Sequence, residues 1–291
     1  MSKKQITVAI AYDFDGTLAP GNMQERNFIP EIGMNKLAFW KEVEDLCLTH
    51  QADNILMYMW LMLQKADSKQ VQVFRKNITD YGKQLKLFPG VEHYDTSEHK
   101  IKNWFQRINE YGKECNIKIE HYIISSGLRE MIEGTTIKKE FKKIYASSFY
   151  YDHHNIAAWP ALAINYTTKT QYLFRINKGI LDVNNNKEIN DFQPKNERPV
   201  PFSNIIFIGD GETDIPCFRL VRDQGGHSIV VYQPSKKGAK GKANKIIEQQ
   251  RADFLAAADY REGETLDRIV KAIIDKIQTD YDLNRFTSHR Q

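Results

Sequence analysis

The sequence is short of cysteine: 291 residues carry three, Cys47, Cys115 and Cys217, far apart and without a CxxC pair. That excludes a disulfide framework and a thiolate zinc site, and it suits a reducing cytoplasm. Long apolar runs are missing as well. The longest, ILMYMWLML at residues 55–63, is about half of what a bilayer span needs, so no membrane partner is expected. Lysines ahead of the first apolar stretch imitate a signal peptide, but Asp13 interrupts that stretch too early. Nor is there a large charge of either sign. A net charge of +4 fits an anionic substrate and falls short of a dedicated nucleic-acid binder. The densest basic stretch, SKKGAKGKANK at 235–245, has no interleaved aromatics and holds two glycines, so it reads as a solvated loop rather than a phosphate or RNA patch. It also fails the P-loop pattern, because no Ser or Thr follows a Gly-Lys pair at the required spacing. No internal repeat is visible.

What is present is a globular composition, 41% hydrophobic and 27% charged, long enough for one large domain and a smaller one. Short apolar runs rich in β-branched residues stand at 6–12, 119–125, 144–149, 205–209 and 228–232. Helical patterns alternate with several of them, which predicts an α/β fold with a doubly wound parallel sheet. In such sheets ligands bind beyond the carboxyl ends of the strands. Between the first two strands the chain reads as helical. Val71, Phe74, Ile78 and Tyr81 keep helical spacing up to Gly82, and Ile101, Trp104, Phe105, Ile108 and Tyr111 do so up to Gly112. LFPGV at 87–91 is a turn between these two helices. The expected organisation is a helical domain over 19–86 inserted into a core made of 1–18 and 87–291. Trp40, Met57 and Trp60 are expected in the core of the insert, 182–201 as a surface loop, and 280–291 as a frayed end.

The chemistry follows the strands. DFDGT comes after the first, and residues two apart in an extended chain face the same way, so Asp13 and Asp15 can serve one site while Phe14 enters the body. Gly16 allows a sharp departure. GDGETD comes after the fourth, with Asp210 and Asp214 again past an apolar run; Asp214 is also well placed to cap the helix that carries Pro216. Carboxylates without histidine or thiolate neighbours select Mg²⁺. His153 and His154 lack the spacing of a helical metal pair and suit a loop or hairpin. Ser125, Ser126 and Gly127 precede a short helix, where hydroxyls and free N–H groups make an anion site or an ordinary cap. A cation is still needed. Lys169 sits in the first turn of a helix capped by Thr167 or Thr168 and stopped by Gly179, a place where the macrodipole disfavours it unless an anion is near. Lys178 and Lys187 are weaker candidates.

These four motifs, DFDGT, Ser125 in IISSG, Lys169 in TTKTQ and GDGETD, resemble those of the haloacid dehalogenase superfamily in its phosphatase branch, over residues 5–18 and about 87–259. The insert after DFDGT resembles the helical cap of phosphoserine-phosphatase-type enzymes, on a Rossmann-like core. The resemblance implies that Asp13 attacks phosphorus to form an aspartyl phosphate and that Asp15 protonates the leaving oxygen, then activates water. It further implies Mg²⁺ held by the Asp13 carboxylate, the Asp15 main-chain carbonyl and Asp210, with Asp214 orienting Lys169 or a metal-bound water. Ser125, Ser126, Gly127 and Lys169 would bind the phosphoryl oxygens. An acid at position 15 separates phosphatases from dehalogenases and transport ATPases of this fold. Thr213 and Ser126 stand where phosphoserine phosphatases usually have Asn and Gly. The insert offers Glu25, Arg26 and Arg75 as charged substrate contacts, although a plain surface position describes each as well.

The expected activity is hydrolysis of a small phosphorylated metabolite. Transfer of the phosphoryl group to a second hydroxyl, or a phosphate-binding regulatory role without turnover, uses the same scaffold. A receiver-like switch also clusters aspartates with a lysine, but has no need of a large insert.

Overall fold

The computed structural model describes residues 5–96 and 99–288. In β1 (Ile6–Tyr12) the side chains of Val8, Ile10 and Tyr12 enter one apolar cluster, and those of Ala9 and Ala11 enter another on the opposite face. That is the two-residue period of a strand covered on both sides. The chain continues through four helices, α1 (Phe28–Glu31), α2 (Lys36–His50), α3 (Asn54–Ser68) and α4 (Arg75–Gly82). A two-residue pair, β2 (Tyr94–Asp95) and β3 (Lys100–Ile101), leads into α5 (Trp104–Glu114), β4 (Ile117–Leu128) and α6 (Arg129–Gly134). Next come the hairpin β5 (Lys143–Tyr151) and β6 (Ala157–Leu162), then α7 (Lys169–Lys178), β7 (Ile205–Gly209) and α8 (Ile215–Asp223). The last elements are β8 (His227–Tyr232), α9 (Ala239–Glu248), β9 (Phe254–Ala257) and α10 (Thr265–Ser288).

Seven strands form one sheet in the order β6-β5-β4-β1-β7-β8-β9, parallel except for β6. Helices α7, α8 and α9 cover one face; α5, α6 and α10 cover the other. This is the expected doubly wound α/β fold. The chain winds away from β1 in both directions, and Tyr12 stands opposite Ile123 of β4 and Ile208 of β7. The carboxyl ends of β1, β4 and β7 are therefore adjacent, at the switch point where such folds bind ligands. On the α5 face, Trp104 Nε1 donates to Tyr12 Oη at 2.8 Å, which meets His121 Nδ1 at 3.0 Å. Burial holds that imidazole neutral, its pKa pushed down to about 3.

The helices between β1 and β4 leave and rejoin the core at one place. Phe88 N donates to Leu18 O at 2.9 Å, and Pro89 O and Gly90 O accept from Tyr260 and Trp104. Gly90 has φ +80°, and a side chain there would overlap the backbone of Tyr260 and Arg261. Helices α2 and α3 lie over the carboxyl end of the sheet. Tyr58 Oη donates to Ser126 O at 2.8 Å, and Asn165 Nδ2 donates to Asp53 Oδ2 at 2.8 Å. Helix α4 instead crosses α6 through two glycines, whose Cβ atoms would overlap Met131 O and Thr79 O respectively.

Several local expectations are corrected. Gly112 does not stop its helix, since α5 runs to Glu114, and Val71 precedes α4. The basic stretch is not a loop throughout: α9 starts at Ala239, after Gly238 in a left-handed conformation. Residues 280–288 continue α10 rather than fraying; 289–291, like residues 1–4, lie outside the described residues. Trp60 is 39% exposed, not core. Strands β6 and β9 were not foreseen, because AAWPAL and FLAA are short and carry few β-branched residues. His153 and His154 do lie in the β5–β6 hairpin turn. Among the described residues no helix is long and apolar enough to cross a membrane.

Gly134→Ala sets a small gain in helix propensity against a backbone overlap. The overlap wins, and we expect a loss of about 1–3 kcal/mol in stability. Thermal unfolding checks this; an unchanged or raised midpoint would refute the close α4–α6 packing.

Candidate active site

Asp13 continues β1, and its N–H donates to Ile208 O at 2.9 Å, so the residue is tied to β7 as well as to its own strand. The chain then turns sharply. Phe14 O accepts from Leu18 N at 2.8 Å and from Ala19 N at 3.1 Å, while the Phe14 ring is fully buried. Gly16 has φ +75°, and a Cβ there would overlap the Asp210 carboxylate. Glycine is thus required twice over, by conformation and by space.

Lys169 is the pivot. It opens α7, is 1% exposed, and places Nζ 2.7 Å from Asp214 Oδ1 and 3.1 Å from Asp13 Oδ1. The lysine is satisfied at a helix start because two carboxylates face it. Neither Thr167 nor Thr168 caps α7 through its side chain. Asn165 Oδ1 instead fixes the turn ahead of the helix, accepting from Thr167 N at 3.1 Å and Thr168 N at 2.9 Å. Asp214 occupies the N-cap position of α8 but makes no capping bond to that helix. Its Oδ2 turns back to accept from Asp210 N at 3.1 Å and Gly211 N at 3.4 Å. The capping expectation is corrected: the carboxylate shapes the loop after β7 and holds Lys169. Gly209 leaves it room, since a Cβ there would come 2.5 Å from Asp214 Oδ2.

Asp15 shares the turn but not the lysine. Its Oδ1 accepts from Met23 N at 3.0 Å, and a Cβ on Gly127 would lie 3.0 Å from Oδ2. Ser125 is fully buried at the end of β4, and its Oγ accepts from Gly127 N at 3.0 Å. The expected helix-start anion site is altered here. The strand runs on to Leu128, α6 begins only at Arg129, Gly127 N is already engaged, and Leu128 N faces Met23 Sδ at 3.2 Å.

The electrostatics follow from crowding. Burial, opposed by Lys169 and reinforced by Asp214, pushes the Asp13 carboxyl up to about 6. Burial, with Asp214 and Asp13 adding to it, pushes Asp210 up to about 8. Burial first and Asp13 second hold Asp15 well above the ordinary carboxylate range. Burial alone would lower Lys169, but Asp13 and Asp214 outweigh it and raise the ammonium. Four carboxylates share one buried lysine. Oxygens of Asp13, Asp210 and Asp214 lie within 4.8 Å of one another, and buried Asp13 Oδ1 has no hydrogen-bond partner beyond its ion pair. An all-carboxylate set of this kind, with negative charge in excess, fits a hard divalent cation.

Asp13, Asp15, Ser125, Ser126, Gly127, Lys169 and Asp210 all line a single cleft of about 1360 Å³, and Asp214 lies buried beneath it. Glu25, Arg26 and Arg75 do not line it. Glu25 accepts from Trp40 Nε1 at 2.9 Å, and the Arg75 guanidinium sits 4.3 Å over the Tyr151 ring. The roof is instead made by Trp40, Val43 and Cys47 of α2 with Ile55 and Tyr58 of α3. Trp40, Val43 and Cys47 recur every three or four residues, the signature of one helix face; a face turned to a cleft carries the same pattern as one turned to a core. Lys236, Lys237, Lys242, Lys245 and Arg251 form a basic rim of the same cleft; the four lysines belong to the stretch expected to be a solvated loop.

The family model of haloacid dehalogenase-like hydrolases matches residues 10–219. An uncharacterized protein of Borreliella burgdorferi is 28% identical over 293 residues, covering 91% of this chain and 96% of that protein. Among solved structures, a HAD family hydrolase from Salmonella enterica subsp. enterica serovar Typhi superposes with TM-score 0.56 at 13% identity, over 91% of this chain and 70% of the other. A substrate-bound phosphoserine phosphatase superposes with TM-score 0.53 at 13% identity, over 92% and 99% of the two chains. The four motifs, that of Lys169 among them, all fall within the matched residues, and the chain belongs to the haloacid dehalogenase-like hydrolase family.

Proposed function

We propose that the chain is a Mg²⁺-dependent phosphatase that hydrolyses a phosphomonoester through an aspartyl phosphate on Asp13. What carries this reading is the division of labour among the carboxylates. Asp13 is held against Lys169 at 3.1 Å and lines the cleft, whereas Asp15 is turned away from the lysine, onto Met23 N, where burial and the Asp13 charge hold its carboxyl well above the ordinary range. A nucleophile needs the first environment and a general acid the second.

In the first step an Asp13 carboxylate oxygen attacks phosphorus, the P–O ester bond breaks, and Asp15 delivers its proton to the departing alkoxide. In the second, Asp15 takes a proton from water, the hydroxyl oxygen attacks phosphorus, and the acyl-phosphate bond breaks to release inorganic phosphate and restore Asp13. Lys169 and the Ser125 hydroxyl, with Ser126 and Gly127 beside them, bind the phosphoryl oxygens. Asp214 keeps Lys169 in place. Magnesium, which the carboxylates of Asp13 and Asp210 and the main-chain carbonyl of Asp15 would hold, with Asp214 beneath them orienting Lys169, would supply positive charge against the phosphoryl group and the crowded acids. Residues 19–86 serve as the cap over a core of 1–18 and 87–291, with α2 and α3 excluding water. The three thiols are free, which suits a cytoplasmic enzyme.

Three outcomes are expected. With an aryl phosphate and no acceptor alcohol, wild-type protein in Mg²⁺ releases inorganic phosphate. Asp13→Asn and EDTA each abolish release, while Asp15→Asn lowers kcat by about 10²–10⁴-fold. Equal rates in wild type, Asp13→Asn and EDTA would remove the enzymatic reading, and release that requires an acceptor would make the protein a transferase.

The metal-free protein should also lose stability as pH rises. The Asp13 and Asp210 carboxyls, at about 6 and about 8, bind protons more tightly folded than unfolded, where 3.8 is their ordinary value. Their contribution is complete below the unfolded value and disappears as pH climbs through the folded ones. In EDTA the unfolding midpoint should therefore fall from about pH 5 to about pH 8, and Mg²⁺ should restore more of it at the higher pH. A midpoint that rises over this range in EDTA would contradict the arrangement of charges.

A further inference from the structure

The basic stretch at 235–245 has no part in the phosphoryl chemistry, yet it faces the same cleft. Five lysines lie between Lys236 and Lys245, and no acid occurs between Asp223 and Glu248. Lys236 and Lys237 come from the loop after β8. Lys242, Lys245 and Gln249 recur at helical spacing, so one face of α9 is turned to the cleft, and Arg251 follows.

Three observations describe this rim. Among the described residues, none of Lys236, Lys237, Lys242, Lys245 and Arg251 is within ion-pair distance of a carboxylate. The ten-residue helix α9 begins at Gly238 with no side-chain cap and no acid in its first turn, and the space in front of Gly238 and Gly241 is open. Its first turn carries Lys240 and Lys242, cations at the end of the macrodipole that favours anions. Finally, the cleft of about 1360 Å³ exceeds the several hundred Å³ typical of a small-ligand site. A phosphoryl group at Asp13 fills a small part of it. The roof, hydrogen-bonded to the core by Tyr58 and Asn165, favours a compact molecule over a polymer.

We propose that this rim binds a second phosphate on the substrate, remote from the scissile ester, so that the preferred substrates are small bisphosphates rather than monophosphates. The inference rests on the phosphatase reading and names its substrate class. One phosphate lies at Asp13, the carbon skeleton runs beneath Trp40 and Tyr58, and the far phosphate meets Lys237, Lys242 and Lys245.

The test compares pairs of substrates that share one skeleton and differ by the remote phosphate, such as a hexose monophosphate with its bisphosphate and a nucleoside 5′-monophosphate with its 3′,5′-bisphosphate. Wild type should favour the better bisphosphate by about tenfold or more in kcat/KM, chiefly through KM. Lys237→Ala/Lys242→Ala/Lys245→Ala should lose about tenfold more on the bisphosphate than on its partner. Titration calorimetry of Asp13→Asn with the same pairs should show the same preference without turnover. An aryl phosphate, run beside them, reports the phosphatase reading separately: no release from it overturns that reading, while calorimetry still decides on the rim. The proposal is overturned if no bisphosphate is preferred, if the preference survives in the triple variant, or if a 5′-phosphorylated oligonucleotide is preferred to every small bisphosphate.

Discussion

A buried ammonium between two buried carboxylates is the constraint on which the rest of this structure depends. Lys169 would be intolerable inside the protein if unpaired, and so would Asp214 beneath it. Their 2.7 Å contact, with Asp13 at 3.1 Å, joins the start of α7, the start of α8 and the end of β1. Gly16 and Gly209 are the places where the backbone gives way so that the Asp210 and Asp214 carboxylates can fit. The compensation is incomplete by design of the residue set: one lysine faces four acids, and the raised pKa values of Asp13, Asp15 and Asp210 express the imbalance. A site with negative charge in such excess fits a hard cation.

The scaffold supplies this centre cheaply because β1 is flanked by β4 and β7, whose ends deliver Ser125 and Asp210 beside Asp13. The generic half of the cleft is built on strand ends and helix starts, where positions are rigid. Its other half comes from the helical roof and from the loop after β8 with α9, and there the chemistry is of a different kind, apolar above and basic at the rim.

The legible parts of the site were those with a local cause. Asp13, Asp15, Asp210 and Asp214 stand just past apolar strands, and Lys169 was conspicuous as a cation at a helix start. Asp214 could equally have been a cap, because its sequence position is right for one; only the return of α7, 45 residues earlier in the chain, turns its carboxylate toward the lysine. Trp40 and the residues a turn further along α2 follow a pattern that does not distinguish a cleft from a core. The lysines of 235–245 were read as solvated because the stretch has no interleaved aromatics and holds two glycines, and the roof residues that line the same cleft lie far from them in the chain. Gly112 misled for a simpler reason: its missing side chain accommodates Ile119 of β4 within a continuing helix.

By itself the sequence determined the α/β class and singled out the acids and the lysine that meet at the cleft, since strand period, turn residues and the order of the four motifs are local properties. Tertiary structure alone decided which acid pairs with the lysine, which is held apart from it, and what lines the far end of the cleft. Charge pairing and burial depend on distances between segments remote in the chain, and only the packed sheet, with β1 between β4 and β7, brings those segments within a few ångströms.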